Sequence, residues 1–180
     1  MKGIVFVKFN DFVEEQWGEE FWDELLTEAT LPSEGVFTTI GSYDDEEFYT
    51  LLGLIVKKKN ISGKEAQFAF GKWLFKELYA SAPPQAHAFK DVFEFLHGVQ
   101  NVIHLEVKKL NPDALLPEFE FIDESATELT FHYKSPRKLC YFCEGLVHGL
   151  AEHTGQTVKV SQPECEHDGG QRCLINVEKI

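Results

Sequence analysis

Glu128-Leu129-Thr130-Phe131-His132-Tyr133-Lys134-Ser135-Pro136-Arg137 is the stretch whose reading decides the fold. Alternate residues of a β-strand share one face. Leu129, Phe131 and Tyr133 fall on one parity, followed on it by Ser135 and Arg137, while Thr130, His132 and Lys134 fall on the other. The apolar parity must face a core, so the pattern predicts a half-buried strand over 128–134. Pro136 has no N–H for a ladder, so the strand ends there or lies at a sheet edge. Residues 119–122 predict the other arm of an antiparallel hairpin.

Upstream of the hairpin the apolar period changes from two to three or four. Val5, Phe6, Phe9, Phe12 and Val13 predict a helix over 4–17, and Phe21, Trp22, Leu25 and Leu26 one over 19–29. Phe48, Leu51, Leu52 and Ile55 mark a third over 44–58. Ser62-x-x-Glu65 has the form of a capping box and opens a long helix that Pro83-Pro84 stops. Phe89, Phe93, Leu96, Val99, Ile103, Val107 and Leu110 predict a single helix over 89–110. Downstream of the hairpin, 138–153 reads as a helix with Leu139, Phe142, Leu146, Val147 and Leu150 inward. Short strands follow at 157–160 and 173–177. Helices first, then a helix among antiparallel strands, predict an α+β fold rather than alternating βαβ units.

The size of the chain, 180 residues, suits a single domain able to bury its own core. Lys and Arg number 17 against 30 Asp and Glu, a net charge of −13. So acidic a surface repels phosphate backbones and anionic lipid, which argues against nucleic-acid and membrane partners. Lys8 and Asp11 interrupt the first apolar run too early for a secretory signal, and no stretch approaches the roughly 20 apolar residues that span a bilayer. A cytoplasmic location is expected, with the cysteines as thiols or metal ligands rather than disulfides.

Tyr133, Ser135 and Arg137 can all donate hydrogen bonds, and the guanidinium is a planar fork matched to carboxylates. Such a row suits a ligand with an apolar body and anionic groups along one edge. On spacing alone it equally fits a strand end with ordinary polar residues. His104 borders the apolar stripe of its predicted helix, next to Ile103. A neutral imidazole there can ligate a metal or simply be a hydrogen-bonded core histidine.

Tyr133-x-Ser135-x-Arg137 resembles the Tyr-x-Ser-x-Arg motif of the H-NOX family, the haem-nitric oxide/oxygen binding domains related to the regulatory haem domain of soluble guanylate cyclase. The interval from His104 to the motif, the opening Met1-Lys2-Gly3 and the later Phe142-x-x-Gly145-Leu146 are similar too. The resemblance, to the bacterial stand-alone type, covers essentially the whole chain. It implies a helical N-terminal lobe, about 1–65, and a C-terminal lobe of helices on a small antiparallel sheet, about 66–180, with haem b between them. It implies that His104 is the axial iron ligand, that Tyr133, Ser135 and Arg137 hold the haem propionates, and that Pro117 presses on the haem and distorts it.

The resemblance also bears on which gas binds. Oxygen-binding members carry a distal tyrosine with a supporting tryptophan and asparagine. The matching positions here are Phe142, Phe9 and Leu74, none of them a donor. Bound oxygen develops negative charge that a distal donor must stabilise, so this pocket is expected to favour nitric oxide and carbon monoxide. The family mechanism implies that nitric oxide releases His104 and that the signal passes to a partner, a histidine kinase or a cyclic-di-GMP enzyme (diguanylate cyclase or phosphodiesterase). No nucleophile–base pair or phosphate loop marks the chain as an enzyme.

All four cysteines, Cys140, Cys143, Cys165 and Cys173, lie in the last 41 residues with His167 among them, a set that suits tetrahedral zinc. In family members with a structural zinc the matching ligands are Cys140, Cys165 and Cys173, but Gln162 stands where they have histidine. The fourth ligand is left open between Cys143 and His167. A thiol- or redox-sensing role for this cluster is the alternative function.

Overall fold

The computed structural model describes residues 1–180 and divides into two compact units, 1–70 and 71–180. The first is helical. It holds α1 (Gly3–Trp17), α2 (Glu19–Glu28), α3 (Asp45–Lys59) and the start of α4 (Gly63–Ala80). The expected capping box forms: Ser62 N–H donates to Glu65 Oε2 at 2.7 Å, and Glu65 N–H donates back to Ser62 Oγ at 3.1 Å. Phe6, Phe9, Phe48 and Phe70 are fully buried, with ring centroids of Phe9 only 4.9 Å from both Phe48 and Phe70. Gly3 explains part of the opening signature. A Cβ there would lie 1.9 Å from the Thr38 carbonyl oxygen, so the first turn of α1 can meet that loop only through glycine.

The second unit contains α5 (Val92–Gly98), a π-helical turn (Val99–Ile103), α6 (His104–Leu110), β1 (Glu118–Glu124), β2 (Glu128–Lys134), α7 (Cys140–Thr154), β3 (Val158–Glu164) and β4 (Cys173–Lys179). All strand pairs are antiparallel, in the order β1-β2-β4-β3. One face buries Leu129, Phe131, Tyr133, Cys173, Ile175 and Val177 with residues of α5 and α7. The expected α+β architecture is present. α4 and α7 meet closely, since a Cβ on Gly71 would lie 2.2 Å from the Phe142 carbonyl oxygen.

Three expectations about local structure need correction. The helix read as 89–110 starts at Val92, because the Asp91 side chain accepts from the N–H groups of Phe93 and Glu94 and fixes the N-terminus there. Its middle is not α-helical, the ladder widening to a π turn over 99–103. On α7, Phe142 and Leu146 are only half-buried, while Cys140, Cys143, Val147, Leu150 and Ala151 are buried. The helix turns one flank to the sheet and packs its other flank, at Phe142 and Leu146, on α4. No helix is long and apolar enough to cross a membrane.

Candidate functional site

β2 lies between β1 and β4, and Tyr133 near its end pairs with Phe119 on one side and Cys173 on the other. The central position accounts for its burial. Tyr133 is 5 % exposed, and burial pushes its phenol well above the usual range, with the nearby Cys143 adding to the shift and a hydrogen bond with Ser135 opposing it. It is a neutral donor at any physiological pH.

Ser135 and Arg137 do not continue the strand. β2 ends at Lys134, and Ser135 to Lys138 form a turn closed by Lys138 N–H to the Ser135 carbonyl at 3.1 Å. Ser135 Oγ accepts from Arg137 N–H at 3.3 Å, which holds the two residues on one side of the turn. Parity therefore places Tyr133 but not Arg137, whose position comes from the turn that Pro136 makes. Arg137 Nη1 donates to the Leu115 carbonyl at 2.5 Å, tying the turn to the loop that carries Pro117. Pro117 is half-buried, directly before β1.

His104 opens α6 straight after the π turn. Its ring lies 5.9 Å from that of Phe119, the cross-strand neighbour of Tyr133, so imidazole and phenol flank one aromatic side chain. His104 Nδ1 is buried and has no hydrogen-bond partner. Desolvation lowers its pKa to about 4, so the imidazole is uncharged at neutral pH with a lone pair available. His97, seven residues upstream, packs tilted on Phe121 with ring centroids 4.0 Å apart and pairs with Glu124 at 3.0 Å. It is anchored to β1, whereas His104 has an unengaged nitrogen.

Sequence reasoning missed two supporting residues. Phe119 was seen only as a strand residue, although its i, i+2 alternation with Phe121 was the available signal. Gln100 accepts from Phe119 N–H at 3.0 Å and joins the π turn to the edge strand. Nothing in the sequence marks a glutamine for that task. Of the residues expected to line a distal pocket, Phe9 is fully buried in the first unit, Leu74 is buried on α4, and Phe142 is half-buried on α7.

Cys140, Cys165 and Cys173 are brought together, their sulfurs within 4.8 Å of one another and all three residues buried. Cys140 and Cys165 sulfurs are 3.5 Å apart, Cys165 and Cys173 3.9 Å. Burial pushes the thiols of Cys140 and Cys173 up, so without a metal these groups are protonated. Neither residue left open as a fourth ligand belongs to the group. Cys143 is buried apart from the cluster, while His167 Nε2 donates to the Lys138 carbonyl at 2.6 Å. Gln162 donates to Glu144 at 2.7 Å. A Glu166 carboxylate oxygen lies 3.9 Å from the Cys173 sulfur.

A small binding domain is defined by this geometry, with its polar groups gathered at one end of an apolar sheet face and an uncharged histidine beside them. Residues 2–162 match the family model described as haem-NO-binding. The H-NOX protein of K. algicida, solved unliganded with Fe(II), is 33% identical with a TM-score of 0.92, over 100% of this chain and 97% of that one. The S. oneidensis H-NOX protein in its Fe(II)NO state is 32% identical with a TM-score of 0.92, over 100% and 99%. The Shewanella woodyi H-NOX, bound to IWP-051 in the Fe(II)CO state, is 33% identical with a TM-score of 0.84, over 100% and 95%. The chain belongs to the haem-NO-binding, or H-NOX, family.

Proposed function

We propose that this chain is a haem-based nitric oxide sensor in which His104 is the axial ligand and Tyr133, Ser135 and Arg137 hold the haem carboxylates. One observation carries the assignment: a half-buried, uncharged imidazole whose buried Nδ1 has no partner in the protein, next to the Phe119 ring that also neighbours the buried Tyr133 phenol. A core histidine that merely filled space would be hydrogen-bonded. Ferrous haem, when bound, supplies an open coordination position for a diatomic gas. His104 would hold the iron. Desolvation keeps it free of a competing proton. The Ser135 hydroxyl and Arg137 guanidinium donate to carboxylates, charge-assisted contacts worth roughly 1.5–3 kcal/mol each. Pro117, on the loop that Arg137 ties down, would press on the haem. Phe9, Leu74 and Phe142 offer no distal donor, which favours nitric oxide and carbon monoxide over oxygen.

Output runs through His104. A change at His104 would be felt first by α6, which it opens, while the α5 and π-turn segments before it are tied to β1 by His97 and Gln100. The partner is a histidine kinase or a cyclic-di-GMP enzyme, and the location is cytoplasmic. His104→Gly tests the assignment. It should abolish stable haem binding unless imidazole is supplied, and full retention without imidazole would overturn it. A stable ferrous-oxy spectrum in air would overturn the donor-free pocket.

The sulfur cluster favours a second reading, a zinc site with thiol-sensing capacity. Zinc–sulfur bonds of 2.3 Å in a tetrahedron set sulfurs about 3.8 Å apart, and the observed separations of 3.5 and 3.9 Å bracket that value. Oxygen atoms of Tyr141 and Glu166 lie 3.8 and 3.9 Å from the Cys165 and Cys173 sulfurs. Elemental analysis finding no zinc would remove the site.

A further inference from the structure

The turn that carries Ser135 and Arg137 is held from outside by the loop between β3 and β4. Tyr133, just ahead of the turn, pairs with Cys173 of β4. Cys140, just after it, has its sulfur 3.5 Å from that of Cys165 at the start of the same loop, and Cys165 lies 3.9 Å from Cys173. The sulfurs thus close a ring around the segment 133–140. Two more contacts reach its middle. His167 donates to the Lys138 carbonyl at 2.6 Å, and Lys138 Nζ pairs with Glu166 at 3.3 Å.

Lys138 needs such holding. Its φ is +51°, a left-handed conformation that a lysine adopts at a cost and that glycine would take freely. Residues held in sparsely populated conformations persist where the surroundings over-determine them. Both contacts on Lys138 named here come from this loop, at Glu166 and His167.

We propose that the β3–β4 loop is a brace for the Ser135–Arg137 clamp, and that closure of Cys140, Cys165 and Cys173 on a zinc ion tightens the grip on haem carboxylates. The three cysteines and His167 are positioning residues. They act through the backbone of 135–138. The coupling is reciprocal, so bound haem raises the cluster's hold on zinc by the factor by which zinc raises the hold on haem. The inference rests on the haem assignment given above.

The test separates the two claims. Haem-loaded protein is given equimolar Zn2+ or a chelator, and haem transfer to excess apomyoglobin is followed in the Soret band. Transfer should be about five-fold slower or more with zinc. Cys165→Ser, which leaves the clamp segment itself unaltered, should transfer at the chelated rate whether or not zinc is added. Haem dimethyl ester has no carboxylates to clamp and should leave at a rate that zinc does not change. Equal protohaem rates with zinc and with chelator overturn the brace. A zinc effect of the same size on the ester also overturns it, because that would be general stabilisation. The zinc-against-chelator comparison on the unaltered chain decides the matter even where Cys165→Ser fails to fold. A chain that takes up no haem fails the haem assignment, and the brace with it. Haem binding with zinc-independent release fails the brace alone.

Discussion

From Phe6 to Phe70 the interior is built of rings: Phe6, Phe9, Phe48 and Phe70 are all buried and packed edge to face or tilted on one another. Its one buried charged residue, Glu47, is engaged by the N–H and hydroxyl of Ser33. From Gly71 onward the buried residues include a phenol and four thiols, and a largely desolvated imidazole lies at their margin. The first unit draws its stability from apolar burial that any medium-sized change would damage. The second keeps polar atoms out of water, which holds the imidazole in the neutral form an iron ligand requires, whereas the thiols must give up their protons to hold a metal.

Substitutions can sharpen this contrast, the largest effect coming first. Phe48→Ala removes a ring that touches Phe6, Phe9 and Phe70, and should cost about 3–5 kcal/mol in denaturant unfolding. An effect below about 1 kcal/mol would mean the ring cluster is not what holds the first unit. Gly149→Ala probes the second unit's backbone packing. Its Cβ would lie 2.6 Å from Phe75 Cβ and 2.8 Å from the Lys72 carbonyl oxygen, an overpacking cost of about 1–3 kcal/mol in thermal unfolding.

Asp91→Asn comes next: Asn still caps the helix but loses the ion pair with Lys179, at about 1 kcal/mol, and the change carries a pH signature. Partial burial pushes this carboxyl up, but hydrogen bonds from Lys179, Gln156 and Phe93 N–H outweigh it and hold the pKa down at about 2. The unfolded value is about 3.9. The carboxylate's contribution is therefore complete above about pH 4 and lost as pH falls toward 2. The stability gap between the native chain and Asp91→Asn should close across that window, and a gap constant down to pH 2 would refute the pairing. Lys58→Ala is the smallest. Its pairs with Glu24 and Glu28 involve exposed carboxylates, and the denaturant midpoint should barely move.

Legibility followed the same divide. The helices of the first unit were open to reading because nothing but apolar period and capping determines them. In the second unit the hairpin and α7 were legible for the same reason, as was Tyr133, whose parity is fixed by the strand. Arg137 was expected to arrive by that parity and arrives by a turn instead, since Pro136 takes the chain out of the ladder. The π turn left no trace in the pattern, because an apolar stripe tolerates one added residue without losing its hydrophobic count. The cysteine triad needed the β3–β4 loop, and pairing across a sheet is not encoded in local spacing.

That π turn has a geometric consequence. An α-helix turns about 100° for each residue, so the extra residue held in 99–103 would rotate everything after it by about that angle if the turn did not widen to take it in. The direction in which His104 points is thus set by a residue count upstream of it. Side-chain substitutions in the turn leave that count unchanged. A single deletion within 99–103 would let the widened turn close to α-helix with the imidazole still aimed at Phe119, whereas a deletion in α5 would swing it by about 100°, making the aim of the ligand a matter of chain length.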